Sequence, residues 1–287
     1  MISLDAATVL LQWAVGGLFW LWVTTRRREV GLGYGWLLRS VFLALVIGSL
    51  VVGVAFDTVW VREAATVGVI VATAIALAVS VARKRAGVSG QRAEHDRRSA
   101  RVAAMTGIDR DVAEAGTDVR IGPEFPPALD LVAPVIGVVG LIAAGIAAGG
   151  PAPLAVARTL VGAVFLGVVT DAMLLGHWYL VQPGLSRAPL NELVRWLQWT
   201  WPAEVVVLIW PVGMLSVLAG TVDDGWNGTL GWMWVACAVT TLGLAIATSA
   251  ALRERQYSAV MAATGLLYLA ILTAFGMDLV ARAVLAG

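Results

Sequence analysis

Asp171 and the run His177-Trp178-Tyr179 stand in an otherwise apolar stretch of the chain. A carboxylate, an imidazole and two amphipathic rings within three helical turns suit the headgroup of a quinone. Imidazole can hydrogen-bond a carbonyl oxygen and exchange its proton, and a carboxylate can relay that proton. At about 100° per residue Asp171 and Trp178 share one helix face, with Thr170 and His177 on the adjacent one. Glu204 and Arg195, with Arg39, are read as neighbours at the same depth. The competing structural reading makes His177 an interfacial residue and Asp171 the buried partner of an arginine.

Other ionisable groups in apolar segments are candidates by the same logic, since charge inside a bilayer is costly. Asp130 is read as a solvated entry residue. Arg158, Asp278 and Arg282 are expected to form an ion pair or small cluster, Asp278 and Arg282 being one turn apart. Asp223 and Asp224 read as a solvated turn, and His95 as a solvated loop residue. Cys237, the single cysteine, reads as a small core residue.

Absences narrow the chemistry. One membrane histidine cannot supply a bis-imidazole haem, and one cysteine cannot build an iron–sulfur or four-thiolate zinc site. The sequence has no HExxH, no phosphate-loop lysine motif, no glycine-rich dinucleotide fingerprint and no DxxD-type aspartate pair. No metal or cofactor is therefore expected on this chain alone, quinone excepted. Intramembrane charge is too sparse for a strongly charge-coupled pump, and a net charge of +1 gives no sign of nucleic acid as a partner.

The elements that must position these groups follow from composition. Hydrophobic residues make up 59% and charged residues 14% of 287, and the mean hydropathy is +0.83. The apolar residues fall into nearly charge-free blocks of about 20, enough to cross roughly 30 Å of hydrocarbon. Only helices satisfy their own backbone there. The expectation is an all-α, polytopic bundle of eight transmembrane helices. They are placed at Thr8–Val23, Trp36–Phe56, Ala64–Ala82, Ala128–Ala148, Leu154–Leu180, Pro202–Ala219, Thr229–Ala250 and Tyr257–Val284. Residues 1–82 carry the first three helices, 83–127 a cytoplasmic loop, and 128–287 the other five. Residues 91–104 of the loop could form a short helix, and the stretch from Gly116 to Pro127 reads as a linker.

Ser186 to Trp201 repeats Leu190, Leu193, Val194 and Leu197 at helical spacing. That amphipathic segment, near 187–201, should lie along the inner membrane surface or lead directly into helix 6. Pro202 and Pro211 make a straight helix 6 unexpected. Gly145 with Gly149, Ala133 with Gly137 and Gly140 with Ala144 offer small-residue pairs for close packing. Trp36, Trp60, Trp178, Trp201, Trp226 and Trp232 fall near expected helix ends and suit interfacial anchoring.

With the N-terminus outside, 17 Lys/Arg fall on inner connections and three, Arg62, Arg158 and Arg282, on the outer side. That split places both termini extracytoplasmic. Met1 to Thr8 has no basic residue, so the first helix is expected to be retained. A single lysine, Lys84, against 19 arginines suggests a GC-rich bacterial genome, and hence a multi-pass protein of a bacterial cytoplasmic (inner) membrane. The leading functional expectation is a membrane subunit of a respiratory or other redox (electron-transport) complex. Its quinone or proton site would use Asp171, His177, Trp178, Tyr179, Arg195 and Glu204 at the cytoplasmic interface. The alternatives are a carrier or channel for a small neutral solute and an enzyme acting on a lipid-linked substrate.

Overall fold

Charge-free apolar blocks become long helices. The computed structural model describes residues 4–84, 89, 123–182, 185–254 and 256–285. The expected loop helix at 91–104, His95 and most of the 116–127 linker lie outside them. The described residues are 83% helical, with no strand. In chain order the helices are α1 (Ala6–Thr25), α2 (Leu32–Phe56), α3 (Trp60–Ala82), α4 (Leu129–Ala147), α5 (Ala152–Val181), α6 (Ala188–Ile209), the short α7 (Gly213–Leu218), α8 (Thr229–Arg253) and α9 (Tyr257–Leu285). All except α6 and α7, seven in number, are long and apolar enough to cross a bilayer. The chain is a helical membrane bundle.

The ends of these helices have local causes. Asp5 caps α1 by accepting the Thr8 backbone N–H at 3.2 Å, satisfying an otherwise orphaned donor. Between α4 and α5 the chain turns through Gly149 (φ 82°) and Gly150 (φ 70°), which take the left-handed conformation that α4 needs in order to stop. Helix α3 starts earlier than the hydropathy pattern suggests because Arg62 and Glu63 are buried within it. Arg62 is fully enclosed, donating to Glu63 at 2.7 Å and to Asp5 at 2.6 Å.

Helix α6 is the principal departure. The amphipathic stretch and the expected helix 6 are one continuous 22-residue helix that passes through Pro202. Leu190, Leu193, Val194 and Leu197 are buried against the bundle, so this segment leads directly into the helix and does not lie on the membrane surface. Proline 202 is tolerated because packing holds the helix on both sides of it. Proline 211 does end it, since the residue before a proline is pushed out of the helical region and Trp210 is extended. The expected span Pro202–Ala219 is thus divided between the end of α6 and α7. Trp201 lies within α6 and donates to the Ala238 carbonyl at 2.9 Å, so it is not an end anchor.

The eight long helices alternate in direction. At one end, Asp5 meets Arg62, Arg158 at the start of α5 reaches Val207 at the end of α6, and Arg282 near the end of α9 reaches Arg158. At the other end, Arg26 meets Glu192 and Arg187 meets Leu252 and Glu254. Helix α1 therefore begins where α9 finishes, at what is called here the terminal end.

At the centre, α1 crosses α5 backbone to backbone. A Cβ on Gly16 would lie 1.7 Å from the Ala163 carbonyl oxygen, and one on Gly167 would lie 2.2 Å from the Gly16 carbonyl carbon. Small residues allow this approach in a setting where dispersion and backbone contact drive association. At the opposite end Arg39 and Asp130 form a buried pair, Nε–Oδ1 and Nη2–Oδ2 both 2.7 Å. Asp130, expected to be solvated, is 3% exposed. Its partner comes from α2, which its sequence neighbours give no hint of.

Candidate functional site

The residues singled out from the sequence do not form one site. Asp171 on α5 is fully buried, and neither carboxylate oxygen has a hydrogen-bond partner among the described residues. Tyr34 approaches only its backbone carbonyl, at 3.4 Å. His177 faces outward from the bundle, with Nδ1 3.5 Å from the exposed Tyr268 hydroxyl. Trp178 donates to Gln182 at 3.0 Å, and the buried Tyr179 donates its hydroxyl to the Ser186 carbonyl at 2.5 Å. Trp178 and Tyr179 thus fix the α5–α6 turn. Arg195 is exposed on α6 and has no ion-pair partner among the described residues.

Glu204 is placed far from this group. Because α6 begins at Ala188 and not at Pro202, Glu204 comes about 24 Å along it at 1.5 Å per residue. That puts it at the terminal end, level with Arg158. Arg158 and Asp171 are on the same helix, roughly 20 Å apart along it.

What Glu204 joins is the expected Arg158, Asp278 and Arg282 cluster. Arg282 Nε donates to both Asp278 oxygens, at 2.9 and 2.8 Å. Its Nη2 donates to the Arg158 carbonyl at 2.9 Å. Gln12 on α1 adds an Nε2 contact to Asp278 at 3.4 Å. Gly162 leaves room for the group, since a Cβ there would fall 2.4 Å from Gln12 Nε2 and 2.5 Å from Arg282 Nη2.

The placement of Arg158 follows from the broken helix. In a continuous helix Val207 C=O would accept from residue 211, but proline has no N–H. Arg158 Nε takes that carbonyl at 2.8 Å, and Nη2 takes Trp210 C=O at 3.0 Å. Carbonyls satisfy its hydrogen bonds without neutralising its charge. Glu204 is fully buried and lies against the Asp278 carboxyl, with Arg282 and Arg158 as its cationic neighbours. No N–H of the described residues reaches either Glu204 oxygen.

Above this cluster a cavity of about 310 Å³ opens at the terminal end. Its polar lining is Asp5, Thr8, Asp57, Arg158, Thr159 and Arg282, set in a wall of alanine, valine and leucine side chains. The volume is at the small end of the range for ligand sites. Two guanidinium groups lie at its floor, while of the two lining carboxylates Asp5 is paired with Arg62 and Asp57 is exposed, so the floor can bind an anionic or polar group. The adjoining carboxyl pair can hold a proton between its oxygens. Among the described residues no group of three His, Cys, Asp or Glu side chains converges as a metal site.

Asp224 has a structural task. Its Oδ1 accepts from the Trp226 and Gly228 backbone N–H groups and its Oδ2 from that of Leu230, each at 2.9 Å. Enclosure by the turn pushes the carboxyl up, but these donors outweigh it and hold the group below the usual carboxylate range. Asp223 closes a smaller turn on Gly225. The expected solvated turn is a cap for the start of α8.

Gln12 was missed from the sequence. A fully buried amide in an apolar helix was the available signal, and weighing only ionisable groups passed over it. No match was found for this chain among protein families, curated proteins or solved structures.

Proposed function

We propose that this chain is a multi-pass membrane carrier for a small solute, which enters from the terminal end. The observation that carries the reading is a cavity floored by Arg158 and Arg282, behind which lies the buried Glu204, whose oxygens receive no N–H among the described residues. Buried charge without hydrogen bonds is expensive, and a merely structural cluster gains nothing from leaving Glu204 without a donor. Such a group is suited to binding and release. The break between α6 and α7 beside the cavity supplies a place where one helix end can move relative to the other.

The membrane arrangement belongs to the same proposal. Eight crossings with the basic residues inside put the terminal end, with Arg62, Arg158 and Arg282, on the extracytoplasmic face of a bacterial inner membrane. Helix α6 is the eighth crossing despite its polar first half, because it runs the length of the bundle. The test is cysteine access. In a Cys237→Ser background, Ala155→Cys, at a half-buried position in the cavity wall, should react with a membrane-impermeant thiol reagent added outside intact cells, and labelling should block solute flux in proteoliposomes. Absence of both reaction and flux in a folded protein removes the reading.

A redox-subunit reading has one favourable observation. His177 and Tyr268 form an outward-facing pair, rings edge to face at 6.4 Å, where a quinone ring or a neighbouring subunit could lie. Stoichiometric redox chains or enriched quinone in gently purified protein would favour it. Ordinary lipids and a lone chain would exclude it.

A further inference from the structure

We propose that the solute is a small monocarboxylate taken up together with one proton, with Arg158 holding the carboxylate and the Glu204–Asp278 pair holding the proton. This rests on the carrier reading of the same cavity.

Four charged side chains meet at the cavity floor and just behind it. Arg158 and Arg282 supply two positive charges, and Asp278 and Glu204 supply two negative charges when both are ionised. Gln12 is neutral. Arg282 is engaged by Asp278 through both oxygens, whereas Arg158 is bonded only to carbonyls and to no carboxylate among the described residues. Glu204 is therefore what balances Arg158. A proton taken from cavity water and shared between Glu204 and Asp278 removes one negative charge, and the charge of Arg158 becomes available to an anion. A bound anion in turn favours the proton. The coupling is reciprocal by linkage.

The charged neighbours of Glu204 come from three helices. Helix α9 contributes Asp278 and Arg282, and α5 contributes Arg158. Helix α1 contributes Gln12 and, at the cavity rim, Asp5, which is already paired with Arg62. The only charged residue of α8 is Arg253, at the opposite end, and that of α4 is Asp130, also at the opposite end. At the same end Asp57 is exposed at the cavity mouth and Glu63 is paired with Arg62, so among the described residues the buried carboxyls facing Arg158 are Glu204 and Asp278.

The walls select the anion. Arg158 offers one uncovered positive charge at the floor, and the exposed Asp57 carboxylate at the mouth opposes any further negative charge, so the site matches a single carboxylate and not a phosphate or a dicarboxylate. Ala144, Ala148, Ala155 and Leu208 line the rest and suit a short carbon chain. Thr8 and Thr159 can accept a hydrogen bond from a hydroxyl on it. Lactate has these features.

The experiment is calorimetric titration of L-lactate into the purified full chain, in buffers of different ionisation enthalpy and across pH. The wild type should take up about one proton per lactate, and its affinity should fall about tenfold per pH unit where that proton must be acquired. In Glu204→Gln the amide donates to Asp278 as the shared proton did. Lactate should then bind without proton uptake and without pH dependence. Arg158→Gln should weaken binding roughly ten- to a hundred-fold, the loss of a charge-assisted contact. Because Arg158 also caps α6, Ala155→Phe is the second variant. It fills the cavity one helical turn from Arg158 without removing any charged group, and should abolish binding while the elution profile stays unchanged.

An unaltered pH slope in Glu204→Gln, undiminished binding in both other variants, or equal competition by chloride or succinate overturns the proposal. If lactate fails to bind while another solute is transported, this inference falls and the carrier stands. If lactate binds with its proton but crosses no membrane, the site stands and the carrier falls.

Discussion

Removing Asp130 leaves the most deeply buried guanidinium of the opposite end without its counter-charge, and the size of the effect can be worked from the geometry. The Arg39 and Asp130 side chains are 2% and 1% exposed. They share two hydrogen bonds of 2.7 Å, and Phe125 covers the guanidinium with its ring centroid 4.4 Å away. Thr25 loses only a 3.2 Å contact, since its hydroxyl also donates to Leu21. Breaking a buried pair by deleting one partner costs about 3–5 kcal/mol, because the other charge stays buried. At about 2–4 °C per kcal/mol for a chain of this size, Asp130→Ala should lower the thermal midpoint by roughly 6–20 °C. The double variant Arg39→Met with Asp130→Leu removes both charges at similar volume, so it should recover most of that loss. Arg39→Lys should fall between, as one ammonium cannot reproduce the two-pronged contact. The assay is tryptophan fluorescence during a thermal scan in mild detergent. A midpoint for Asp130→Ala within about 2 °C of wild type contradicts the reasoning, and so does a double variant no better than the single one.

Gly16→Ala should destabilise the bundle strongly by forcing α1 off Ala163, whereas Gly243→Ala, with nothing within 4 Å of its new Cβ, should be neutral or slightly stabilising through helix propensity. Equal midpoints for the two would refute the backbone contact. Asp224 is held below its ordinary value of 3.8, so its stabilisation is present above that value and lost as pH falls through the folded one. The gap in thermal midpoint between wild type and Asp224→Ala should therefore close on acidification, and a pH-independent gap would exclude the charged cap. His177→Ala should leave both the fold and lactate binding unchanged, because His177 faces outward and away from the cavity. A loss of binding in that variant would show that the two ends of the bundle are coupled.

The helices were legible because hydropathy records what each segment must bury, and a charge-free block of bilayer length has few alternatives. The Arg158, Asp278 and Arg282 cluster was legible too, from a shared depth and a one-turn spacing. Arg62 and Glu63 misled the start of α3, since a buried ion pair looks like a polar loop when read locally. Pro202 misled more seriously. It resembles a helix start, and reading it so moved Glu204 to the wrong end and assembled a site from groups roughly 20 Å apart. Tertiary packing of Leu190, Leu193 and Leu197 decides that question, and their spacing alone does not say against what they pack. Asp130 required a partner on another helix. The cavity required five helices, and no local pattern encodes such a space.

The most direct test is uptake into proteoliposomes over a panel of small solutes, lactate included, with the outside made acidic. The account predicts accumulation of lactate above its equilibrium level. That accumulation should collapse with a protonophore and be absent in Ala155→Phe. If no solute enters faster than into protein-free vesicles, or if Ala155→Phe transports as wild type does, the cavity is not a transport site and the account is contradicted.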